Sequence, residues 1–190
     1  MIFFENIDES LESEHSWVKQ PNGLISCIDC GQSISNTLNP CRSSWPDTWM
    51  SIAKLLAEKR SYDPRLKVCA LVVPDDNTGI LSLGYNGSAK GELNAPASTL
   101  PGQSEFIHAE LNCIIKLDYS HHKPKHMYVT HSPCKQCAKI IVNAGIVRVI
   151  YGEEYRDVSG LNILKSSGIE VLSIDEAIIK ARNKSQVANK

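Results

Sequence analysis

Apolar positions change their period several times along this chain, and each change marks an element. Trp49, Ile52, Ala53 and Leu56 recur at helical spacing, with Pro46 and Asp47 suited to a first helical turn. Asp63 followed by Pro64 ends that helix, because proline disfavours the helical conformation of the residue before it. Residues 68–73 form a continuous apolar run that predicts a buried strand, and residues 80–85 predict a second. Asp75, Asp76, Asn77, Thr78 and Gly79 supply a turn between them, so the two strands pair as a hairpin. A loop containing glycine and proline covers residues 86–104. Beyond it the periods alternate: helix at 108–117, strand at 126–130, helix at 134–144, strand at 147–151, helix at 160–166 and strand at 170–172. A last helical segment at 175–182 precedes a polar tail expected to fray.

Helices alternating with short apolar strands imply crossover units on a parallel half-sheet, joined here to an antiparallel hairpin. The fold class is therefore α/β. Residues 1–44 break the pattern, being polar and turn-rich with only short apolar runs. The expected division is a small N-terminal extension over residues 1–45 and one main domain over residues 46–190.

Composition narrows the function classes. A chain of 190 residues buries one sizeable core. Twenty Lys and Arg against 21 Asp and Glu leave no broad basic surface for long nucleic acid, and few aromatic residues remain to stack bases. No stretch is apolar for long enough to span a bilayer. The start, Met1, Ile2, Phe3, Phe4 and Glu5, lacks the basic region of a secretory signal, so an intracellular, cytoplasmic protein is expected. The cysteines are odd in number, seven, and two pairs have C-x-x-C spacing. In a reducing compartment that favours metal binding over a disulfide framework.

Two short motifs carry the chemistry. His108, Ala109 and Glu110 open one predicted helix; Pro133, Cys134, Lys135, Gln136 and Cys137 open the next. Cysteines three apart share one face of a helix start, where the positive end of the helix dipole favours the metal-binding thiolate. His108, Cys134 and Cys137 thus make three ligands for Zn2+, leaving a fourth position for water, whose pKa zinc lowers to roughly 7. Glu110 is read as the proton carrier beside that water rather than as a ligand. A redox role for the C-x-x-C pair would leave the H-A-E run unexplained.

H-x-E followed by P-C-x-x-C resembles the zinc-deaminase signature. Further blocks resemble one family, the deoxycytidylate deaminases of the cytidine-deaminase-like superfamily, over about residues 48–173. They are Arg60-Ser61-Tyr62-Asp63-Pro64 followed by Val68-Cys69-Ala70, then Gly84-Tyr85-Asn86-Gly87, and Asn143-Ala144-Gly145-Ile146 followed by Tyr151 and Tyr155. The zinc motifs belong to the whole superfamily; the G-Y-N-G block narrows the resemblance to deoxycytidylate. The resemblance implies a three-layer α/β/α fold with a five-stranded mixed sheet. It implies zinc-dependent hydrolysis of dCMP to dUMP, which feeds thymidylate synthesis, and a homo-oligomer. It also implies that Asn86 bonds the deoxyribose and that the backbone at Ala109 and Ser132 reads the cytosine edge. Arg65, Tyr155 and Arg156 become 5′-phosphate contacts, a task suited to the planar guanidinium fork. Solvated surface for the two arginines, and a core-edge ring for Tyr155, are equally compatible with the sequence.

Two departures limit the likeness. The run after G-Y-N-G is Ser88-Ala89-Lys90-Gly91-Glu92-Leu93-Asn94, and the loop to His108 is short, so control by dCTP and TTP is not expected. Cys69 stands where the family commonly has glycine and reads as a small packed residue. In the extension, Cys27 and Cys30 resemble half of a zinc ribbon. His15 and Cys41 would complete a second, structural zinc site, with free thiols as the alternative. His121, His122 and His126 read as solvated loop residues, and His131 as a pocket wall. Two functions compete with dCMP deamination: deamination of a base in RNA or single-stranded DNA, and a catalytically silent nucleotide-binding scaffold. Balanced charge argues against the first and the presence of Glu110 against the second.

Overall fold

The structure is a computed structural model that describes residues 17–19, 21, 25–27, 33–34, 43–98, 100 and 104–188. The chain divides into two compact units, residues 1–43 with 182–190, and residues 44–181. In the first, short runs of the polar segment form a three-stranded antiparallel sheet, β1 (Trp17–Lys19), β2 (Ile25–Cys27) and β3 (Ser33–Ile34), in the order β1-β2-β3. His15, Cys30 and Cys41 lie outside the described residues, as does the side chain of Cys27, and with them the expected second zinc site.

The second unit opens with α1 (Trp45–Arg60). Ser44 caps it by accepting the Asp47 N–H on its hydroxyl, and Pro46 sits in the first turn, where its missing N–H costs nothing. Met50, Ala53 and Ala57, three or four residues apart, form its buried face together with Trp49. The sheet of this unit runs β5-β4-β6-β7-β8. Its strands are β4 (Cys69–Pro74), β5 (Ser82–Tyr85), β6 (Lys125–His131), β7 (Ile146–Glu153) and β8 (Glu170–Ser173). β4 pairs antiparallel with β5 and β6, whereas β6, β7 and β8 are parallel. The crossovers carry α2 (Ala109–Ile114), α3 (Lys135–Asn143) and α4 (Ser159–Ser166); α5 (Ile174–Ala188) follows β8.

Alternation along the strands divides the core in two. Ala70, Val72, Met127, Val129 and Val149 face α2, α3 and α4 through Ala109, Cys113, Ala138, Ile141 and Leu164. Cys69, Leu71, Val73, Tyr128 and Ile150 face the other way, onto α1 and, through Ala177, α5. β4 is buried at every position because helices cover both of its faces, which explains its unbroken apolar run. The outcome is the expected three-layer α/β/α arrangement around a five-stranded mixed sheet. Cys69 is fully buried and its thiol is pushed up to about 12, so it is the packed, unreactive residue that was expected.

Three expectations change. α2 stops at Ile114, where Lys116 and Leu117 bond back three residues instead of four and tighten the turn. α5 continues to Ala188, six residues past its expected end. His126 is no solvated loop residue: it lies in β6 between Val73 of β4 and Arg148 of β7 and is buried. Pairing on both sides draws this polar strand start into the sheet, and Lys125 beside it turns its ammonium to the His121 carbonyl at 2.8 Å.

Candidate active site

Both chemical motifs sit at helix starts. His108 is the N-cap of α2 and Cys134 the N-cap of α3, each with extended backbone and neither using its side chain to cap. The side chains are therefore free to converge. His108 Nδ1 lies 3.4 Å from Cys137 Sγ and 3.6 Å from Cys134 Sγ, and the three donor atoms fall within 4.8 Å of one another. Two close backbone approaches fix this geometry. A Cβ at Gly84 of β5 would stand 2.5 Å from the Ala109 carbonyl oxygen, so only glycine lets the strand lie flat on α2. A Cβ at Gly160 of α4 would overlap the Pro133 carbonyl, in the turn that delivers Cys134.

The charges in this cluster oppose one another. Cys137 and His108 stabilise the Cys134 thiolate and bring its pKa down to about 3. That thiolate, burial and Glu110 together hold the Cys137 proton in place. Hydrogen bonding to Cys134 raises His108, and burial raises Glu110, which is 5% exposed. A second thiolate beside the first and beside a carboxylate is unfavourable without a cation. Two sulfurs and an imidazole nitrogen are the donors zinc takes in three-ligand sites, so the residues present fit this ion.

The cluster opens onto a pocket of about 760 Å3, within the ordinary range for small-molecule sites. His108, Ala109, Glu110, Ser132 and Cys134 line it, and so do Asn86, Arg65, Tyr155 and Arg156. The residues singled out from the sequence in this unit thus line one cavity, except Cys137, which is buried beside it and joins through its sulfur. His131 lines it too, as expected. Phe106, Leu66, Gln136, Lys135 and Lys139 were not foreseen, although Lys135 and Lys139 occupy one helix face four residues apart. The Arg156 guanidinium lies over the Tyr155 ring at 5.3 Å.

Several of these groups are already engaged. Asn86 Oδ1 accepts from Ser61 Oγ at 2.6 Å and from the Val68 N–H at 2.9 Å, and its Nδ2 donates to the Leu66 carbonyl at 2.9 Å. It ties the segment carrying Arg65 to the end of β5 and keeps one amide hydrogen. Asp63 assists by accepting the Arg65 and Leu66 N–H groups on one oxygen. The Ser132 N–H donates to the Glu153 carbonyl at 2.8 Å, and its hydroxyl accepts the Tyr155 N–H at 2.7 Å. The Ser132 carbonyl and the hydrogen of its hydroxyl remain available to a ligand. Ala109, in the first turn of α2, has an N–H with no intrahelical partner.

Known proteins are similar to this chain. The profile of the family described as "Cytidine and deoxycytidylate deaminase zinc-binding region" matches residues 43–153. ComE operon protein 2 of Bacillus subtilis (strain 168) is 34% identical over 156 residues, covering 77% of this chain and 81% of that protein. The deoxycytidylate deaminase of Homo sapiens is 36% identical over 122 residues, 60% of this chain and 67% of its own length. The crystal structure of dCMP deaminase from the cyanophage S-TIM5 in complex with dCMP and dUMP superposes with a TM-score of 0.58 at 32% identity, covering 67% of this chain and 94% of that one. With the fold, the His/Cys/Cys cluster and the family profile in agreement, this chain belongs to the cytidine and deoxycytidylate deaminase zinc-binding family.

Proposed function

We propose that this chain is a zinc-dependent hydrolase that converts dCMP and water to dUMP and ammonia. The observation that carries the reading is the gathering of one imidazole, two sulfurs and a buried carboxylate beside a pocket that Arg65, Tyr155 and Arg156 also line. His108 Nδ1, Cys134 Sγ and Cys137 Sγ would hold one zinc ion, which would supply a Lewis acid there and acidify water.

Glu110, whose burial favours proton uptake, removes a proton from the attacking water as its oxygen bonds to C4 of cytosine, and passes it to N3. It then moves the remaining hydroxyl proton to the amino nitrogen. The C4–N4 bond breaks, C4 becomes a carbonyl and ammonia departs. The free Ala109 N–H donates to the ring carbonyl oxygen, and the Ser132 carbonyl accepts from the amino group. Arg65, Tyr155 and Arg156 take the 5′-phosphate. The remaining Asn86 hydrogen reaches the sugar. A cytoplasmic homo-oligomer that supplies dUMP for thymidylate synthesis, with residues 1–45 as an extension to a catalytic domain over 46–190, completes the reading. His15, Cys27, Cys30 and Cys41 are the ligand set for any second zinc.

Ammonia release from dCMP by the purified protein tests the assignment. Cytosine in RNA or single-stranded DNA serves as the competing substrate, and a silent scaffold would release none. Glu110→Gln should lower turnover by about 10²–10⁴-fold while zinc content stays unchanged. A fully active variant would remove Glu110 as the proton carrier, and a wild type inert on dCMP would overturn the substrate.

A further inference from the structure

Four positions cross the sheet in register at the end that carries the pocket. His131 of β6 stands opposite Glu153 of β7. β4 runs antiparallel to β6 with Ala70 opposite Val129, and the same register continued past the start of β4 at Cys69 directs Val68 toward His131. On its other edge β4 has Cys69 opposite Tyr85, which puts Asn86 beside Val68. Residues directly opposite in a sheet share a face. Here it is the face under α2 and α3, because Val68 and Val129 both belong to the core beneath those helices. Asn86, Val68 and His131 therefore form one continuous strip of the pocket wall.

Within this strip His131 is oriented but unsatisfied. Its Nε2 lies 3.2 Å from Glu153 Oε2. A carboxylate only accepts, so in the neutral ring Nε2 carries the hydrogen and Nδ1 keeps a lone pair. Nδ1 is buried and has no hydrogen-bond partner among the described residues. A buried acceptor without a donor is unfavourable, and a small turn of the ring would expose it to a donor in the pocket.

The chemistry of the substrate leaves one candidate donor. This step rests on dCMP being the substrate. The ring amino group belongs at the reacting end, beside Glu110, and an ionised phosphate only accepts. The deoxyribose has a single hydroxyl, at C3′. We propose that His131, steered by Glu153, is a specificity-determining residue that accepts a hydrogen bond from the 3′-hydroxyl of the substrate. Asn86, on the far side of Val68, keeps one Nδ2 hydrogen for the same oxygen, so the hydroxyl both donates and accepts. His131 reads the sugar and Glu153 is its positioning residue.

The test compares dCMP with 2′,3′-dideoxycytidine 5′-monophosphate, which lacks only that hydroxyl. Wild type should lose about tenfold in kcat/KM on the dideoxy substrate, mostly through KM. His131→Phe should lower dCMP toward that level, leave the dideoxy substrate nearly unchanged and shrink the ratio, the remainder being the share of the Asn86 hydrogen. His131→Asn, whose side-chain oxygen falls near the position of Nδ1, should restore part of the ratio, and Glu153→Ala should lower it without abolishing it. Thermal melting of each variant separates loss of fold from loss of recognition. A wild type that handles both substrates equally, or a folded His131→Phe that keeps the wild-type ratio, overturns the inference while leaving dCMP deamination intact. A zinc-loaded wild type inert on dCMP overturns both.

Discussion

Replacing Asn86 by alanine separates a structural role from a sugar-binding one. The side chain makes three hydrogen bonds, from Ser61 Oγ, from the Val68 N–H and to the Leu66 carbonyl, and the residue is 6% exposed. Each bond contributes about 0.5–1.5 kcal/mol net, and truncation leaves buried backbone groups unpaired, so Asn86→Ala should cost about 2–4 kcal/mol of stability. The loss should appear with no nucleotide present, as a lower urea midpoint at unchanged m-value. The KM for dCMP should rise as well, because the freed segment carries Arg65 and Leu66 into the pocket wall. Asn86→Asp retains both acceptor bonds but sets a buried carboxylate oxygen against the Leu66 carbonyl, so it should be destabilised as well. A ligand-free Asn86→Ala protein within about 0.5 kcal/mol of wild type, the range of an unremarkable surface substitution, would refute the reasoning and leave Asn86 as a substrate contact alone.

Three further substitutions probe the site and its supports. Gly160→Ala gains about 1 kcal/mol of helix propensity but drives a methyl into the Pro133 carbonyl; overpacking of about 1–3 kcal/mol should outweigh the gain and weaken zinc retention in a chelator competition. Gly79→Ala, with open space around its Cβ position, is the control, and equal zinc retention in both variants would disprove strain at Gly160. Burial, assisted by Arg148, holds His126 below its ordinary pKa of about 6.5, so below that pH the unfolded chain binds more protons. The contribution of His126 to stability is complete above pH ~6.5 and is lost as the pH falls toward the folded value. The denaturant midpoint should drop between pH 7.5 and 5.5, less so in His126→Gln; equal drops would remove His126 from the account. Arg156→Ala should raise KM for dCMP by about tenfold or more while barely changing deoxycytidine, the signature of a lost charge-assisted phosphate bond. Equal losses on both substrates would assign Arg156 to structure.

The sequence by itself pointed to the proposed reactive centre and determined the order of the elements from α1 onward, while the three short strands before it went unread. His108, Glu110, Cys134 and Cys137 are legible because the chemistry lies in residue types at short spacing and each motif starts a helix, a local event. β4 and β5 are legible for the same reason, a buried run and an alternating one separated by turn residues. Tertiary structure alone decided what these groups meet. His126 reads as surface until β4 and β7 flank it. Asn86 reads as a substrate contact until Ser61, Leu66 and Val68 take up most of its side chain. The strip of Asn86, Val68, His131 and Glu153 joins positions up to 85 residues apart, and its members become neighbours only through strand register. Register is fixed by how the sheet buries its two faces, a property of the packed molecule rather than of any window of sequence.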